Sequence, residues 1–282
     1  MSATLALGDS HRQLRTKAEN PLELDSHPTG SLNILSPALL LLEPGTCDRK
    51  HSTDHFYIMT TLTGKRAVIT DSKDFMGPAI AARFSREGAD VIADDRDLTL
   101  PGSCEALITE AGRVDVLIIN LADPAEALAV QDIGDDRWHQ AFNRLVHPMH
   151  RLVRAVTPQM LERGAGKIIV MGSTSALHAI PNQGAYSAAR GAQISYVRTV
   201  GIELAPKGVQ LNLVAQNWVD NPTYFSKEMQ AHPRWDALVK SQVPVGRLGT
   251  GEEDAAFVAF LAGDESGFFV GQAIPFAGGW GT

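Results

Sequence analysis

Short apolar runs alternate with amphipathic segments along the chain after Met59. The apolar runs predict β-strands at residues 67–70, 90–93, 114–119, 167–171, 209–214 and 273–276. Helical periodicity is clearest at 137–162 and 185–204. Continuous apolar strands are typical of sheets buried on both faces, and strands that alternate with helices pair in parallel. The pattern therefore predicts an α/β fold with a Rossmann-like, three-layer, doubly wound parallel sheet.

The first 58 residues lack this alternation. They are rich in Ser, Pro, Gly, His and charged residues, and they sustain a period of neither 2 nor 3.6. Such a composition buries too little apolar surface to offset the entropy of ordering. We predict that residues 1–58 form a disordered N-terminal extension, as translation from an upstream start codon would produce, and that residues 59–282 form the folded domain.

The segment between the second and third predicted strands is short. Residues 95–113 leave room for one helix, at about 103–111. Dinucleotide-binding folds normally place a helix, a strand and a second helix in this interval, where they help to hold the adenosine half of the cofactor. The shortened segment argues against nucleotide binding.

The turn after the first strand, within VITDSKDFMGPAIAARF at 68–84, occupies the place where dinucleotide enzymes carry glycines. Asp71 and Phe75 stand at the first two glycine positions, and Gly77 remains. Glycines there let backbone N–H groups approach a pyrophosphate at a helix N-terminus. The ring of Phe75 and the carboxylate of Asp71 would exclude a pyrophosphate from this turn. Phe75 could instead be core packing and Asp71 a helix N-cap, and both alternatives still exclude the dinucleotide.

Composition removes several classes of function. A net charge of −7 without a basic stripe argues against nucleic-acid binding. No apolar run is long enough to span a membrane. The two cysteines lie in unrelated contexts, which indicates a reducing compartment and a cytoplasmic location. The nine histidines show no ligand spacing, so no metal site is predicted.

Ser173, Tyr186 and Arg190 have a spacing that resembles a known superfamily. A Ser, a Tyr thirteen positions later and a basic residue four positions after that are similar to the short-chain dehydrogenase/reductases, in which the basic residue is Lys. Arg at this position, with the glycine turn lost, resembles the halohydrin dehalogenases within that superfamily. The resemblance covers residues 62–282 and implies that 59–282 is a catalytic domain of this type.

The other motifs that bind the cofactor in the reductases are also altered, and each change removes residues that serve the cofactor. The N-N-A-G motif appears as Ile119–Ala122, the relay asparagine position falls near Leu145, and the Pro-Gly where nicotinamide docks appears as Gln216-Asn217. The resemblance therefore implies an enzyme that uses no nicotinamide cofactor.

The implied catalytic residues are Ser173, Tyr186 and Arg190. Tyr186 and Arg190 are an i, i+4 pair on a predicted helix, and a permanent guanidinium beside a phenol favours the phenolate. Ser173 orients the substrate oxygen, Tyr186 takes its proton, and the alkoxide expels the vicinal halide to give an epoxide. In reverse, halide, azide, cyanide or nitrite opens the ring. Ser175 is a weaker alternative to Ser173, since its spacing is two residues short.

The resemblance also implies a halide site in the space that nicotinamide occupies in reductases. Its predicted lining is Phe75, Gln216, Asn217, Trp218 and Val219, with the backbone amides of Trp218 and Val219 as donors. Trp218 could instead be a core residue. Three further residues are predicted to line the substrate pocket: Leu121, Tyr224 and Phe225.

The predicted partners are small halohydrins, epoxides and anions, together with further copies of the chain. Apolar residues on more than one helix face predict contact with another subunit, namely Leu145, Val146, Met149, Leu152, Val153 and Val156. The family implies a homotetramer through the helices 137–162 and 185–204. Trp280 is a candidate for reaching a neighbouring subunit.

Two other functions stay open. One is a reductase that binds NAD(P)H in an atypical way, which the altered motifs oppose. The other is a non-catalytic scaffold on the same fold. A scaffold has no reason to retain Ser173, Tyr186 and a cation at position 190 together.

Overall fold

The computed structural model of the protein describes residues 62–124 and 127–281. These belong to one compact unit, His55–Thr282. The predicted N-terminal extension, residues 1–58, lies outside the described residues.

The described chain folds into a parallel sheet with helices on both faces. The strands are β1 (Arg66–Ile69), β2 (Asp90–Ala93), β3 (Val116–Asn120), β4 (Gly166–Ser173), β5 (Val209–Gln216) and β6 (Ala273–Phe276), in the order β2-β1-β3-β4-β5-β6. The helices are α1 (Gly77–Arg86), α2 (Ser103–Ala111), α3 (Asp135–Leu145), α4 (His147–Arg163), α5 (Gly184–Leu204), α6 (Lys227–Gln230), α7 (Trp235–Gln242) and α8 (Gly251–Ala262). The predicted Rossmann-like fold is confirmed.

The interval between β2 and β3 contains the single helix that the sequence predicts, α2. In the common dinucleotide-binding order 3-2-1-4-5-6, a further strand flanks the equivalent of β2. Here β2 is the edge of the sheet. Among the described residues, the sheet therefore lacks the strand that would extend it on the adenosine side.

The helix predicted at 137–162 is two helices. The first ends at Leu145 and the second begins at His147, with Val146 between them. Pro148 has no N–H to donate to the preceding turn, but it fits the first turn of a new helix. The apolar period continues across this break, so the hydrophobic pattern did not reveal it.

Two apolar layers enclose the sheet. One lies between the sheet and α2, α3, α4 and α5. The other lies between the sheet and α1 and α8. The apolar side chains that predict a subunit contact belong to the first layer, where five are buried and Val146 is partly buried. They are used within the chain, so the homotetramer stays a prediction without their support.

Strand register brings the site together. β4 and β5 pair along their whole lengths, so that Ser173 lies opposite Gln216, and Gln216 lies opposite Phe276 on β6. On the other side of β4, Asn120 at the end of β3 pairs with Met171. The carboxyl ends of these strands therefore meet at one edge of the sheet, where α/β proteins place their ligands.

Candidate active site

A cavity of about 470 Å³ opens at this edge. Most of the residues predicted for the site line it, namely Ser173, Tyr186, Phe75, Gln216, Asn217, Trp218, Val219, Tyr224 and Phe225. Arg190 and Leu121 are not among the lining residues. Both are buried, and Arg190 donates a hydrogen bond to the Leu121 carbonyl.

Ser173 is the last residue of β4, and its hydroxyl is oriented by Ser175. The Ser173 hydroxyl donates to Ser175 Oγ at 3.0 Å and accepts from the Ser175 N–H at 3.1 Å. Both serines are buried. Ser175, considered above as an alternative to Ser173, is thus its hydrogen-bond partner, and Ser173 is the one that lines the cavity.

Tyr186 and Arg190 are one turn apart on α5, with the phenol towards the cavity and the guanidinium behind it. Arg190 is completely buried, and its Cζ lies 5.2 Å from the centre of the Tyr186 ring and 5.9 Å from that of Phe75. The cation therefore contacts both aromatic rings that separate it from the cavity.

The guanidinium of Arg190 is held by neutral acceptors. Nη1 donates to the Met171 carbonyl at 2.8 Å and to Gln193 Oε1 at 3.0 Å. Nη2 donates to the Leu121 carbonyl at 3.0 Å and to the Tyr224 hydroxyl at 3.4 Å. Within the described part of the chain no carboxylate pairs with Arg190. A buried cation without a carboxylate stabilises negative charge that develops next to it.

Arg190 keeps its charge despite this burial. Burial by itself disfavours the charged form, but Tyr186 and Tyr224 outweigh it and raise the pKa of Arg190 above its ordinary value. The site thus contains a permanent positive charge in contact with two phenols.

Tyr224 is the second phenol at the guanidinium. Its hydroxyl donates to the Asp123 carbonyl at 3.1 Å and accepts from the Asp123 N–H at 3.0 Å. Burial, and then the neighbouring Tyr186, raise the pKa of Tyr224 above its ordinary value. Tyr224 is therefore a fixed neutral phenol that packs edge-on against Phe75, with ring centres 5.2 Å apart.

The turn after β1 keeps the backbone conformation of a glycine turn without the glycines. Asp71 and Phe75 have φ angles of 44° and 49°, in the left-handed region that favours glycine. Each such residue costs on the order of 1–3 kcal/mol, so the surrounding contacts must hold it in place. Asn120 contributes, because its side-chain amide donates to the Asp71 and Asp74 carbonyls at 2.9 and 3.0 Å.

The backbone N–H groups of this turn already donate hydrogen bonds to protein acceptors. Those of residues 72–77 donate in order to Asp94 O, Asp95 Oδ1, Asp71 O, Thr223 Oγ1, Asn120 Oδ1 and Asp74 O, at 2.8 to 3.3 Å. A pyrophosphate at a helix N-terminus is bound by such N–H groups. Since each has a protein acceptor and the Phe75 ring is buried above them, these residues do not fit a dinucleotide.

Asp71 adds negative charge to the same turn. Burial, and then the nearby Asp74, raise the pKa of Asp71 to about 6. The N-cap alternative for Asp71 is wrong, because α1 begins at Gly77 and Met76 stands at its N-cap position without a side-chain bond. Phe75 is 5 % exposed, so it is a core residue and a cavity wall at once.

Among the described residues, the segment after β5 offers a free backbone donor at Val219. The predicted donor Trp218 is occupied, because its N–H donates to Asn217 Oδ1 at 2.8 Å. The Asp220 N–H donates to Gly249 at 2.8 Å, and successive N–H groups of an extended chain point to opposite sides. The Val219 N–H therefore points away from Gly249, and it has no acceptor among the residues the structure describes.

Gln216 lies between the cavity and helix α8. Both atoms of its amide are buried without a well-aligned hydrogen-bond partner. The amide lowers the pKa of Asp254, a buried residue of α8, against the larger effect of burial. Gln216 thus lines the cavity and also lies near Asp254 of α8.

Three polar residues of the site were missed in the sequence. Asn221 organises the loop after β5, since its Oδ1 accepts from the Thr223 and Tyr224 N–H groups at 3.1 and 2.8 Å. Thr223 closes that loop onto Phe75, and Gln193 contacts Arg190. The Asn221-Pro222 pair is a turn signal that could have indicated the role of Asn221. Spacing of i, i+3 from Arg190 is the signal for Gln193.

Comparison with known proteins decides the family. Residues 96–281 match the family model described as enoyl-(acyl carrier protein) reductase. The chain is 31% identical over 247 residues to 2-keto-3-deoxy-L-fuconate dehydrogenase of Xanthomonas campestris pv. campestris, covering 78% of this chain and 81% of the relative. The chain belongs to the short-chain dehydrogenase/reductase superfamily. Another superfamily member, 3-oxoacyl-(acyl-carrier-protein) reductase FabG of Salmonella typhimurium, is 30% identical over 241 residues, 77% of this chain and 97% of the relative.

Solved structures of the superfamily that resemble this fold include dehalogenating proteins. One, titled dehalogenation enzyme, has a TM-score of 0.72 and 28% identity, and covers 78% of this chain and 99% of its own. Another is a halohydrin dehalogenase bound to ethyl (2S)-oxiran-2-ylacetate, with a TM-score of 0.71, 26% identity and coverage of 77% and 97%. The sequence relatives are thus named as oxidoreductases, and the structural relatives include dehalogenases.

Neither a membrane span nor a metal cluster is found in the described ranges. No helix there combines the length and apolar character needed to cross a bilayer. No group of three or more His, Cys, Asp or Glu side chains is arranged to hold a metal ion in residues 62–124 and 127–281.

Proposed function

We propose that this member of the superfamily is a halohydrin dehalogenase. It converts a vicinal halohydrin to an epoxide, a halide ion and a proton, and it opens epoxides with halide, azide, cyanide or nitrite in reverse. The observation that carries the proposal is the closed turn at 72–77, in which each N–H group has a protein acceptor. The superfamily's Ser and Tyr persist in the cavity wall beside it.

The proposed reaction begins with proton transfer. The Ser173 hydroxyl turns its O–H from Ser175 Oγ to the substrate hydroxyl oxygen, and the Tyr186 phenolate accepts the hydroxyl proton. The buried Arg190 guanidinium stabilises the phenolate from behind the ring. The resulting alkoxide attacks the neighbouring carbon, the carbon–halogen bond breaks, and the halide leaves with the electron pair. Tyr186 then returns the proton to solvent, which balances the reaction without a hydride.

The leaving halide is proposed to bind near Val219. The free Val219 N–H supplies a donor, and the neighbouring Phe75 and Trp218 rings supply their positive edges. Asn217 contributes to this site indirectly, because its side-chain oxygen accepts a hydrogen bond from the Trp218 N–H. This assignment retains the predicted halide site with one backbone donor instead of two.

The cavity favours neutral, apolar substrates. No charged side chain lines it within the described residues, and its walls include Phe75, Trp218, Tyr224, Phe225 and Trp280. A charged substituent would lose its hydration there without a partner. We therefore propose small halohydrins and epoxides with uncharged substituents as substrates. A homotetramer and a cytoplasmic location remain part of this proposal.

The names of the sequence relatives favour a second candidate, an NAD(P)H-dependent reductase. The test is bromide release from a small vicinal bromo-alcohol by purified protein without nucleotide. Bromide and acid in equal amounts, unaffected by NADH or NADPH, would support the dehalogenase. A thermal shift with nucleotide and no bromide would establish a reductase instead. If the protein neither releases bromide nor shows a thermal shift with nucleotide, the non-catalytic scaffold would be favoured.

A further inference from the structure

Gln193 bridges the catalytic cation to a helix end. It lies on α5 one turn after Arg190 and is completely buried. Its Oε1 accepts from Arg190 Nη1 at 3.0 Å, and its Nε2 donates to the Leu145 carbonyl at 2.8 Å. The side-chain amide is thus hydrogen-bonded on both sides within the core.

The helix break at Val146 makes the Leu145 carbonyl available. Leu145 is the last residue of α3, so its carbonyl is among those that a helix end leaves without an intrahelical donor. A buried carbonyl needs a donor, and Gln193 provides it. The break that the hydrophobic pattern did not reveal therefore has a consequence at the site.

The Leu145 carbonyl also sets the orientation of the Gln193 amide. A carbonyl only accepts, so it requires the NH2 group of Gln193. The amide oxygen must then face Arg190, whose guanidinium only donates. Rotating the amide by half a turn would place two donors together and two acceptors together. The bridge therefore presents a fixed, neutral acceptor to Arg190.

We propose that Gln193 is a positioning residue that holds the Arg190 guanidinium against Tyr186 while leaving its charge uncompensated. A carboxylate at this position would bind the guanidinium at least as well, but it would neutralise the cation. With a neutral clamp, the phenolate of Tyr186 is the anion that the cation stabilises. This inference rests on the proposed function for its catalytic meaning, but the link from Gln193 to Tyr186 is measurable without turnover.

The decisive variant is Gln193→Glu, which is nearly isosteric and adds a charge beside Arg190. Its matched control is Ser195→Glu, which adds the same charge on the exposed face of α5. The first readout is ultraviolet absorbance of phenolate against pH, with the signal of Tyr186 isolated by subtracting the same titration in a Tyr186→Phe background. The second is the pH profile of bromide release.

Gln193→Glu is expected to move the Tyr186 titration and the acid limb of the rate profile upward by about one pH unit or more, the size of a close charge effect. Ser195→Glu should move neither by more than a few tenths. If the Glu variant does not fold, Gln193→Met serves instead. It should lower kcat about tenfold with KM little changed, because the cation loses its fixed geometry.

An unshifted Tyr186 titration in folded Gln193→Glu overturns the inference. So does a Gln193→Met variant with unchanged kcat. A shifted titration in a protein that releases no bromide would support the Gln193–Arg190–Tyr186 link and refute the proposed function. The two failures are therefore distinguishable.

Discussion

Asp254 provides a stability test of the buried layer behind the cavity. It lies in the first turn of α8, completely buried, and neither carboxyl oxygen has a well-aligned hydrogen-bond partner among the described residues. Burial raises the pKa of Asp254 from 3.8 to about 7, and the Gln216 amide opposes this rise only in part. The folded protein therefore keeps a proton on Asp254 that the unfolded chain loses near pH 4.

The sign of the effect follows from proton linkage. Between about pH 4 and pH 7 the folded state binds one proton more than the unfolded state at this residue, so stability falls as pH rises. The slope is about 1.4 kcal/mol per pH unit, and a difference of about 3 units gives about 4 kcal/mol in total. Above about pH 7 both states are ionised and the loss is complete.

Asp254→Asn removes this dependence and keeps the side-chain shape. A buried amide has its own cost, but that cost does not vary with pH. The difference in unfolding free energy between variant and wild type should therefore shift in favour of the variant by about 4 kcal/mol between pH 4 and pH 8. For a domain of this size that corresponds to a change of on the order of 10 °C in the Tm difference.

Urea unfolding at half-unit pH intervals, at one protein concentration, measures the difference. Glu162→Gln on the exposed face of α4 is the control, and it should run parallel to wild type. Parallel curves for Asp254→Asn and wild type would refute the argument, because they would show that Asp254 ionises alike in the folded and unfolded states.

The remaining predictions concern the cavity. Tyr186→Phe should abolish bromide release while leaving Tm unchanged within a few degrees, and a retained rate would contradict the mechanism. Arg190→Lys should lose activity at neutral pH and recover part of it at higher pH, since one ammonium cannot reach all four acceptors of the guanidinium; a pH profile that keeps its wild-type shape would oppose this. Phe75→Gly should still show no thermal shift with NADH, because the turn N–H groups stay occupied. A clear shift would mean that the ring alone excludes the nucleotide.

Local patterns in the sequence predicted the elements well. Strands β2 and β6 were predicted with their observed bounds, because each is a short, mainly apolar run; both lie at the edges of the sheet and are only partly buried. The short interval between β2 and β3, which contains α2, could also be predicted from the number of residues between the two strands. The break at Val146 was not, because the apolar face continues through it and proline is acceptable in the first turn of a helix.

The candidate site was predictable where its geometry is local. Ser173, Tyr186 and Arg190 are linked by spacing along one strand end and one helix, so their types and intervals carry the signal. Leu121 was predicted for the pocket from the family resemblance, and the structure uses its backbone carbonyl to hold Arg190. Every residue has such a carbonyl, so no residue type could have indicated this contact.

The sequence by itself determined the parallel α/β fold, the missing adenosine-side segment and the Ser-Tyr-Arg triplet, because each depends on periodicity, length or spacing along the chain. Only the tertiary structure decided how the turn is closed and how the cation is held. The Phe75 N–H meets Thr223 across 148 positions of sequence, and Gln193 meets the Leu145 carbonyl across 48. Such contacts join side chains to backbone groups that all residues share, so they exist only once the sheet and helices have packed.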